Sequence, residues 1–333
     1  MSFVPRDGEG EEPRENAGDP AHRARDRMEH AREHAREQFD QAREQFDQAN
    51  ERIKERTGRD LILAIGTAIV LGAIVLCSLV FIKGLFVIVA LAGAGVGVVE
   101  LVMALRRSSR NIDLIPQLIA VPLVLLPAYF LDPWVHWTLL FLSLALIAVW
   151  RAVAHMASGD GAGAGQLVTD IVTGCFIAVY VTFMASLALA LLREDNGEFW
   201  VIAFVVVVIA ADTGAYASGL LFGKHKMAPR ISPNKTWEGF AGAFVVSLAA
   251  GALLAAFLLD LPWWAGLIIG AVLLATATVG DLGESMIKRD LGIKDMSDWV
   301  PGHGGVLDRL DSILLSAAAA FGLYHALSPL VML

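Results

Sequence analysis

A chain of 333 residues that is 56% hydrophobic, with a mean hydropathy of +0.59, is not an ordinary soluble globule. Only 18% of it is charged and much of that charge lies in the first sixty positions, so the formal net charge of −8 averages a polar tail with an apolar body and says little about partners. Apolar runs of about twenty residues recur, the length that crosses a hydrocarbon core of roughly 30 Å. They predict an all-α polytopic integral membrane protein, with no nucleic-acid partner expected.

Residues 1–27 are rich in Gly, Pro, Glu and Arg, offer little to bury, and are expected to be disordered. The stretch A-R-E-Q-F-D-Q at 35–41 recurs unchanged at 42–48. Met28, Ala35, Phe39, Ala42, Phe46, Ala49 and Ile53 follow a 3-4 spacing, which predicts a charged amphipathic helix with a heptad repeat over 28–60. Its thin, Ala-rich stripe leaves three readings open: a short coiled coil, a helix on the membrane surface, or a solvated helix leading into the first span. No signal peptide is expected, because Met1–Asp60 is charged throughout.

The transmembrane domain is expected over 61–333, with apolar runs at 61–82, 84–105, 114–131, 136–151, 167–192, 199–222, 239–259, 262–284 and 311–332. That predicts about nine transmembrane helices. The third and fourth are interrupted by Pro116, Pro122, Pro127 and Pro133 and read as kinked spans, which membrane helices tolerate. With a cytoplasmic N-terminus, the loops on its side hold Arg106, Arg107, Arg110, Arg151, Lys224, Lys226, Arg230, Lys235, Lys288, Arg289, Lys294 and Arg309. The opposite loops hold only Lys83 and Arg193. Twelve against two is the positive-inside pattern. Trp134, Trp137, Trp200, Trp263 and Trp264 fall at the outer ends, as interfacial aromatics do. Cys77 and Cys175 lie inside apolar runs without metal-ligand spacing and are expected to be two buried thiols, not a disulfide.

Polar chemistry concentrates at about 200–325. The loop from Gly223 to Gly239 contains S-P-N-K-T, in which Ser232, Asn234, Lys235 and Thr236 offer hydroxyls, an amide and an ammonium within five residues. Such a cluster can wrap phosphate oxygens; it is equally an ordinary cationic loop that caps the next helix. In V-G-D-L-G-E-S, Asp281, Glu284 and Ser285 end an apolar span, and Asp212 sits in another. Ionisable groups there are costly and usually face a polar cavity or a partner, so Asp212 and Asp281 read as functional. Asp170 reads instead as a helix-end residue. The segment Ser285–Asp311 places Lys288, Arg289 and Lys294 ahead of a P-G-H-G-G turn, followed by Asp308 and Asp311 on one helix face. Carboxylates, cations and a glycine turn are the parts of a Mg²⁺–polyphosphate site. His303 reads as a ligand, a general base or a turn residue, and Gly304 and Gly305 permit close backbone approach to an anion.

At these residues the sequence resembles the phosphatidate cytidylyltransferase (CDP-diacylglycerol synthase) family. The signature is carried by Ser285, Lys288, Arg289, Lys294, Asp295, Pro301, His303, Gly304, Gly305, Asp308, Arg309 and Asp311, without departure in residue or spacing. The S-P-N-K-T-W-E-G and V-G-D-L-G-E-S stretches look like the family's companion motifs, while the tail at 1–60 has no counterpart in its shared core. The resemblance implies an enzyme that joins CMP from CTP to phosphatidate, giving CDP-diacylglycerol and pyrophosphate. It implies Mg²⁺, with K⁺ as a second cation, a homodimer, and an active site facing the cytoplasm at a bacterial-type inner membrane. It implies Asp281, Asp308 and Asp311 as Mg²⁺ ligands. Lys235, Lys288 and Arg309 would hold phosphates, with Ser232, Asn234, Thr236, Ser285, Arg289, His303, Gly304 and Gly305 completing substrate binding. Two alternatives stand beside it: a CTP-dependent lipid or polyprenol kinase, and a polytopic transporter.

Overall fold

The computed structural model describes residues 61–108, 110–158, 163–297, 299 and 304–330; the expected tail (1–27) and heptad-repeat helix (28–60) lie outside them. The elements in order are α1 (Leu61–Phe81), α2 (Lys83–Arg107), α3 (Leu114–Phe130), α4 (Pro133–Ser158) and α5 (Ala164–Ile177). A π-helical stretch, Ala178–Phe183, joins α5 without a break to α6 (Met184–Arg193). Then come α7 (Gly197–Phe222), a hairpin of β1 (Lys226–Ala228) and β2 (Ser232–Thr236), α8 (Trp237–Phe257), α9 (Trp263–Asp290) and α10 (Leu307–Leu327). Each predicted apolar run falls on a helix. Among the described residues seven helices are long and apolar enough to cross a membrane: α2, α4, the continuous α5–α6, α7, α8, α9 and α10. At 17 residues α3 rises about 26 Å, short of a hydrocarbon core.

Contacts between helix ends sort the bundle into two poles. At one pole, Lys83 pairs with Glu198 at 2.7 Å and Arg193 reaches Asp132 and the Leu131 carbonyl. At the other, Arg151 approaches Asp170 at 3.4 Å and Asp113 at 3.6 Å, and Glu100 meets Ser297 and Val306. Successive helices therefore alternate in direction, and the cation-rich loops gather at the second pole. A core of Leu101, Leu125, Leu189, Leu191, Phe204, Leu273, Leu307 and Leu314 binds α2, α3, α6, α7, α9 and α10. Phe141, Leu142, Val149 and Val153 of α4 point outward, as suits a lipid solvent. Around α8 the contact is made by small residues: Gly214 and Ser218 of α7 meet Gly239 and Gly242, and Gly251 faces Gly266 of α9. Helices in lipid gain most from such close approach, since burying Leu against Leu gains little over burying it in acyl chains.

Three expectations change. The fourth span is longer than 136–151, running Pro133–Ser158, because the Arg151 charge does not end the helix; its side chain is held between Asp113 and Asp170. Trp200 is no interfacial aromatic but is buried edge-on against Tyr324. Cys77 is exposed on its helix and Cys175 half-buried, both unpaired, because the apolar face of a membrane helix is turned outward as often as inward.

Candidate active site

Three pieces of chain converge at the cation-rich pole: the hairpin between α7 and α8, the end of α9 and the start of α10. The hairpin is fastened at its base by Thr236 and Glu238. Thr236 is buried and its hydroxyl accepts the Gly239 N–H at 3.1 Å, capping α8. Glu238 accepts the amides of Lys224 and His225, each at 3.1 Å, and lies 2.5 Å from His225 Nδ1. Its far end is tied to α9 by Arg289, whose Nε donates to the Ile231 carbonyl at 3.1 Å. Lys235 of β2 is half-buried, and its ammonium pairs with Asp281 of α9. Ser285, one turn on, donates to Asp281 at 3.3 Å.

This pair stands at the wall of a cavity of about 520 Å³. Asp212, Asn234, Lys235, Thr236 and Asp281 give it polar lining; Leu220, Phe240 and Leu274 are among its apolar lining. Tyr216 and Leu220 expose most of their surface to the flank of the bundle. A compartment lined by both charged and apolar side chains suits an amphiphile better than a purely polar ligand.

Next to it lies a second, drier cluster. The Lys288 ammonium is 2.9 Å from both Glu284 and Asp308, all three side chains largely buried. Asp308 also accepts the Met296 N–H at 3.0 Å and the Gly305 N–H at 2.7 Å. These bonds fold the polar segment back on α9, and the fold needs glycine at 304, whose φ is +81° and whose added Cβ would lie 2.9 Å from Asp308 Oδ2. Asp311 accepts from Ser312 N–H at 2.5 Å and its hydroxyl at 3.0 Å, and interacts electrostatically with Asp281 and Glu284. Arg309 acts electrostatically on Asp212.

The structure thus joins Lys235 and Asp281 at the cavity with Asn234 and Thr236, places Ser285 against Asp281, and brings Lys288 to Asp308 in the adjoining cluster. Ser232 is half-buried at the far end of β2 and does not line the cavity. Arg289 holds the hairpin backbone. The Gly305 amide is directed to Asp308 and not to an open anion site. His303 lies outside the described residues. Asp170 sits apart from the cavity, with Arg151.

Among the described residues no group of three or more carboxylate, imidazole or thiol side chains closes on one point as a metal site would. Asp308 in particular has both oxygens engaged. The chemistry of the donors still fits Mg²⁺, a hard cation that takes one or two carboxylates and completes its shell with water and substrate phosphates. Asp281 at the cavity and Asp311 beside it would supply those oxygens.

The family model described as "Cytidylyltransferase family" matches residues 62–327, which hold every element of this site. The chain belongs to the cytidylyltransferase family. Phosphatidate cytidylyltransferase from Mycobacterium bovis is 37% identical over 281 residues, covering 80% of this chain and 89% of the relative. The Mycobacterium leprae protein of that name is 36% identical over 282 residues, covering 80% and 88%. The Haemophilus influenzae one reaches 45% over 134 residues, 39% of this chain and 46% of the relative.

Within this member of the family, two residues escaped the sequence reading. Glu100, inside an apolar run of α2, is 1% exposed and reaches across to the start of α10. A carboxylate deep in an apolar run was the signal available, by the same rule that singled out Asp212. Tyr180 stands on the π-helical stretch with a buried hydroxyl that has no hydrogen-bond partner among the described residues, and it feels the charges of Glu284, Asp311 and Asp281. Widened turns of this kind recur at functional sites, but nothing in the A-V-Y-V-T-F sequence marks one.

Proposed function

We propose that this chain transfers CMP from CTP to phosphatidate, forming CDP-diacylglycerol and pyrophosphate for phospholipid synthesis. The observation that carries the proposal is the Lys235–Asp281 pair at the wall of a cavity lined by both polar and apolar side chains. Relatives bearing the name phosphatidate cytidylyltransferase over 80% of the chain support it.

In the proposed reaction a phosphate oxygen of the lipid attacks the α-phosphorus of CTP and pyrophosphate leaves. Two anions must meet in line, so positioning and charge neutralisation carry most of the work. Lys235 exchanges Asp281 for CTP phosphate, which frees the Asp281 oxygens. Asn234 and Thr236 donate hydrogen bonds at the same wall. Lys288, aimed by Asp308 and Glu284, and Arg309 add positive charge on the α9–α10 side. No general base is required, because a phosphate monoester is already ionised near neutral pH. Asp281 and Asp311 would hold Mg²⁺, and Asp308 would join them only by giving up one of its bonds to Lys288, Met296 or Gly305. The ion, when bound, supplies neutralisation of phosphate charge; K⁺ would accompany it as a second cation. The whole reading places nine crossings in a bacterial-type inner membrane, the N-terminus and the site on the cytoplasmic side where CTP is found, and a homodimer.

The test is product analysis on purified protein given labelled CTP and phosphatidate, with and without Mg²⁺. CMP incorporated into lipid, pyrophosphate released, and dependence on Mg²⁺ are expected. Release of CDP with a phosphorylated lipid would replace this reading with a CTP-dependent kinase.

A further inference from the structure

The Glu100 carboxylate comes from α2, far in sequence from the polar motifs, and is buried against the turn that opens α10. Its Oε1 accepts from Ser297 Oγ at 2.5 Å and from Val306 N–H at 3.0 Å; its Oε2 accepts from Leu307 N–H at 2.8 Å. Val306 and Leu307 begin the helix, so their amides are among those that a helix leaves without an internal acceptor, at the positive end of its dipole. A lone carboxylate in an apolar core is expensive. Matched to three donors, it becomes a strong cap delivered by another helix. The match is tight: a Cβ on Gly305 would lie 2.8 Å from Glu100 Oε2, so only glycine there admits the carboxylate.

The residue after Leu307 is Asp308, which takes the Gly305 and Met296 amides with one oxygen and Lys288 with the other. Two carboxylates therefore hold one turn, Asp308 from within the segment and Glu100 from α2. We infer that Glu100 is a positioning residue for the transfer proposed above: it sets the first turn of α10, and through it the Asp308 carboxylate and the Lys288 ammonium, relative to the cavity at Lys235 and Asp281. The inference rests on that reading of the reaction. Glutamine at 100 keeps the shape but turns an NH₂ toward a donor, so half the cap is lost. Aspartate keeps the charge on a shorter arm.

The test measures kcat and KM for CTP on full-length Glu100→Gln and Glu100→Asp, together with amide hydrogen exchange in peptides covering 304–311. A misplaced catalytic group costs about 100-fold in turnover, and a loss of that order in kcat is expected for Glu100→Gln. The KM for CTP stays near wild type, since Asn234, Lys235 and Thr236 lie on a hairpin that Glu100 does not touch. Exchange rises at 304–311 and not across the bundle, and Glu100→Asp recovers part of the kcat. A folded Glu100→Gln with wild-type kcat overturns the inference, as does a joint change in kcat and KM with exchange raised throughout. If Glu100→Gln yields no folded protein, Glu100→Asp decides: wild-type kcat with wild-type exchange overturns the role. Wild-type protein that forms no CDP-diacylglycerol removes the reaction and the role with it, while exchange localised to 304–311 still reports the clasp, so the two failures read differently.

Discussion

Two ammonium groups, Lys235 and Lys288, are each held by carboxylates, and the difference in their surroundings sets what each can do. Lys235 pairs with one carboxylate at the edge of an open cavity and is free to exchange it for phosphate. Lys288 is enclosed by Glu284 and Asp308 and keeps its place. Losing a charge-assisted hydrogen bond costs about 1.5–3 kcal/mol, so Lys235→Ala is expected to raise the KM for CTP about 10- to 100-fold; an unchanged value would remove Lys235 from phosphate binding. Asp308→Asn keeps the shape but loses the charge that Lys288 and two backbone amides converge on. Turnover is expected to fall by about 100-fold or more, in protein that still elutes as a single folded species in detergent, because Lys288 retains Glu284. Near-normal turnover would show that the Asp308 charge is not used.

At the scale of elements, the site is made where regular structure stops. A short hairpin brings Lys235 to Asp281, and the folded-back segment before α10 turns Asp308 onto α9. That second turn depends on left-handed backbone at Gly304. Alanine there adds about 1–2 kcal/mol of backbone strain and presses on the Asp308 carboxylate. Gly304→Ala is therefore expected to lower both the midpoint of thermal unfolding and the turnover of the protein that remains folded. Unchanged turnover would mean that the Asp308 position tolerates movement of this turn.

For the whole molecule, the alternating helices bring the cation-rich loops to one pole, and the proposed orientation makes that pole cytoplasmic. A cysteine introduced as Arg230→Cys, in a background lacking Cys77 and Cys175, should react with an impermeant thiol reagent only in inside-out vesicles; labelling of intact cells would reverse the orientation. Every described residue that lines the site lies beyond position 200, so a truncation of residues 1–55 is expected to keep wild-type product formation, and an inactive truncated enzyme would assign the tail a part in the chemistry.

Much of this was legible beforehand because the lipid solvent makes a strong demand on composition: a helix must be apolar along its whole length to sit in a bilayer, and a charge that interrupts it must have a reason. That physics marked the helices, and it marked Asp212, Asp281 and the polar segment up to Asp311 as places of chemistry. Motif spacing marked Lys235 and Lys288. What pairs with what was decided only by the packing of distant helices, since an ion pair depends on separation in space that spacing along the chain does not carry. Hence Lys235 meets Asp281, Asp308 turns out to be engaged by Lys288 and backbone amides, and Ser232 stands away from the cavity. Glu100 was marked in the sequence only as a charge in an apolar run of α2, and what it holds became legible once α10 was seen to begin against it.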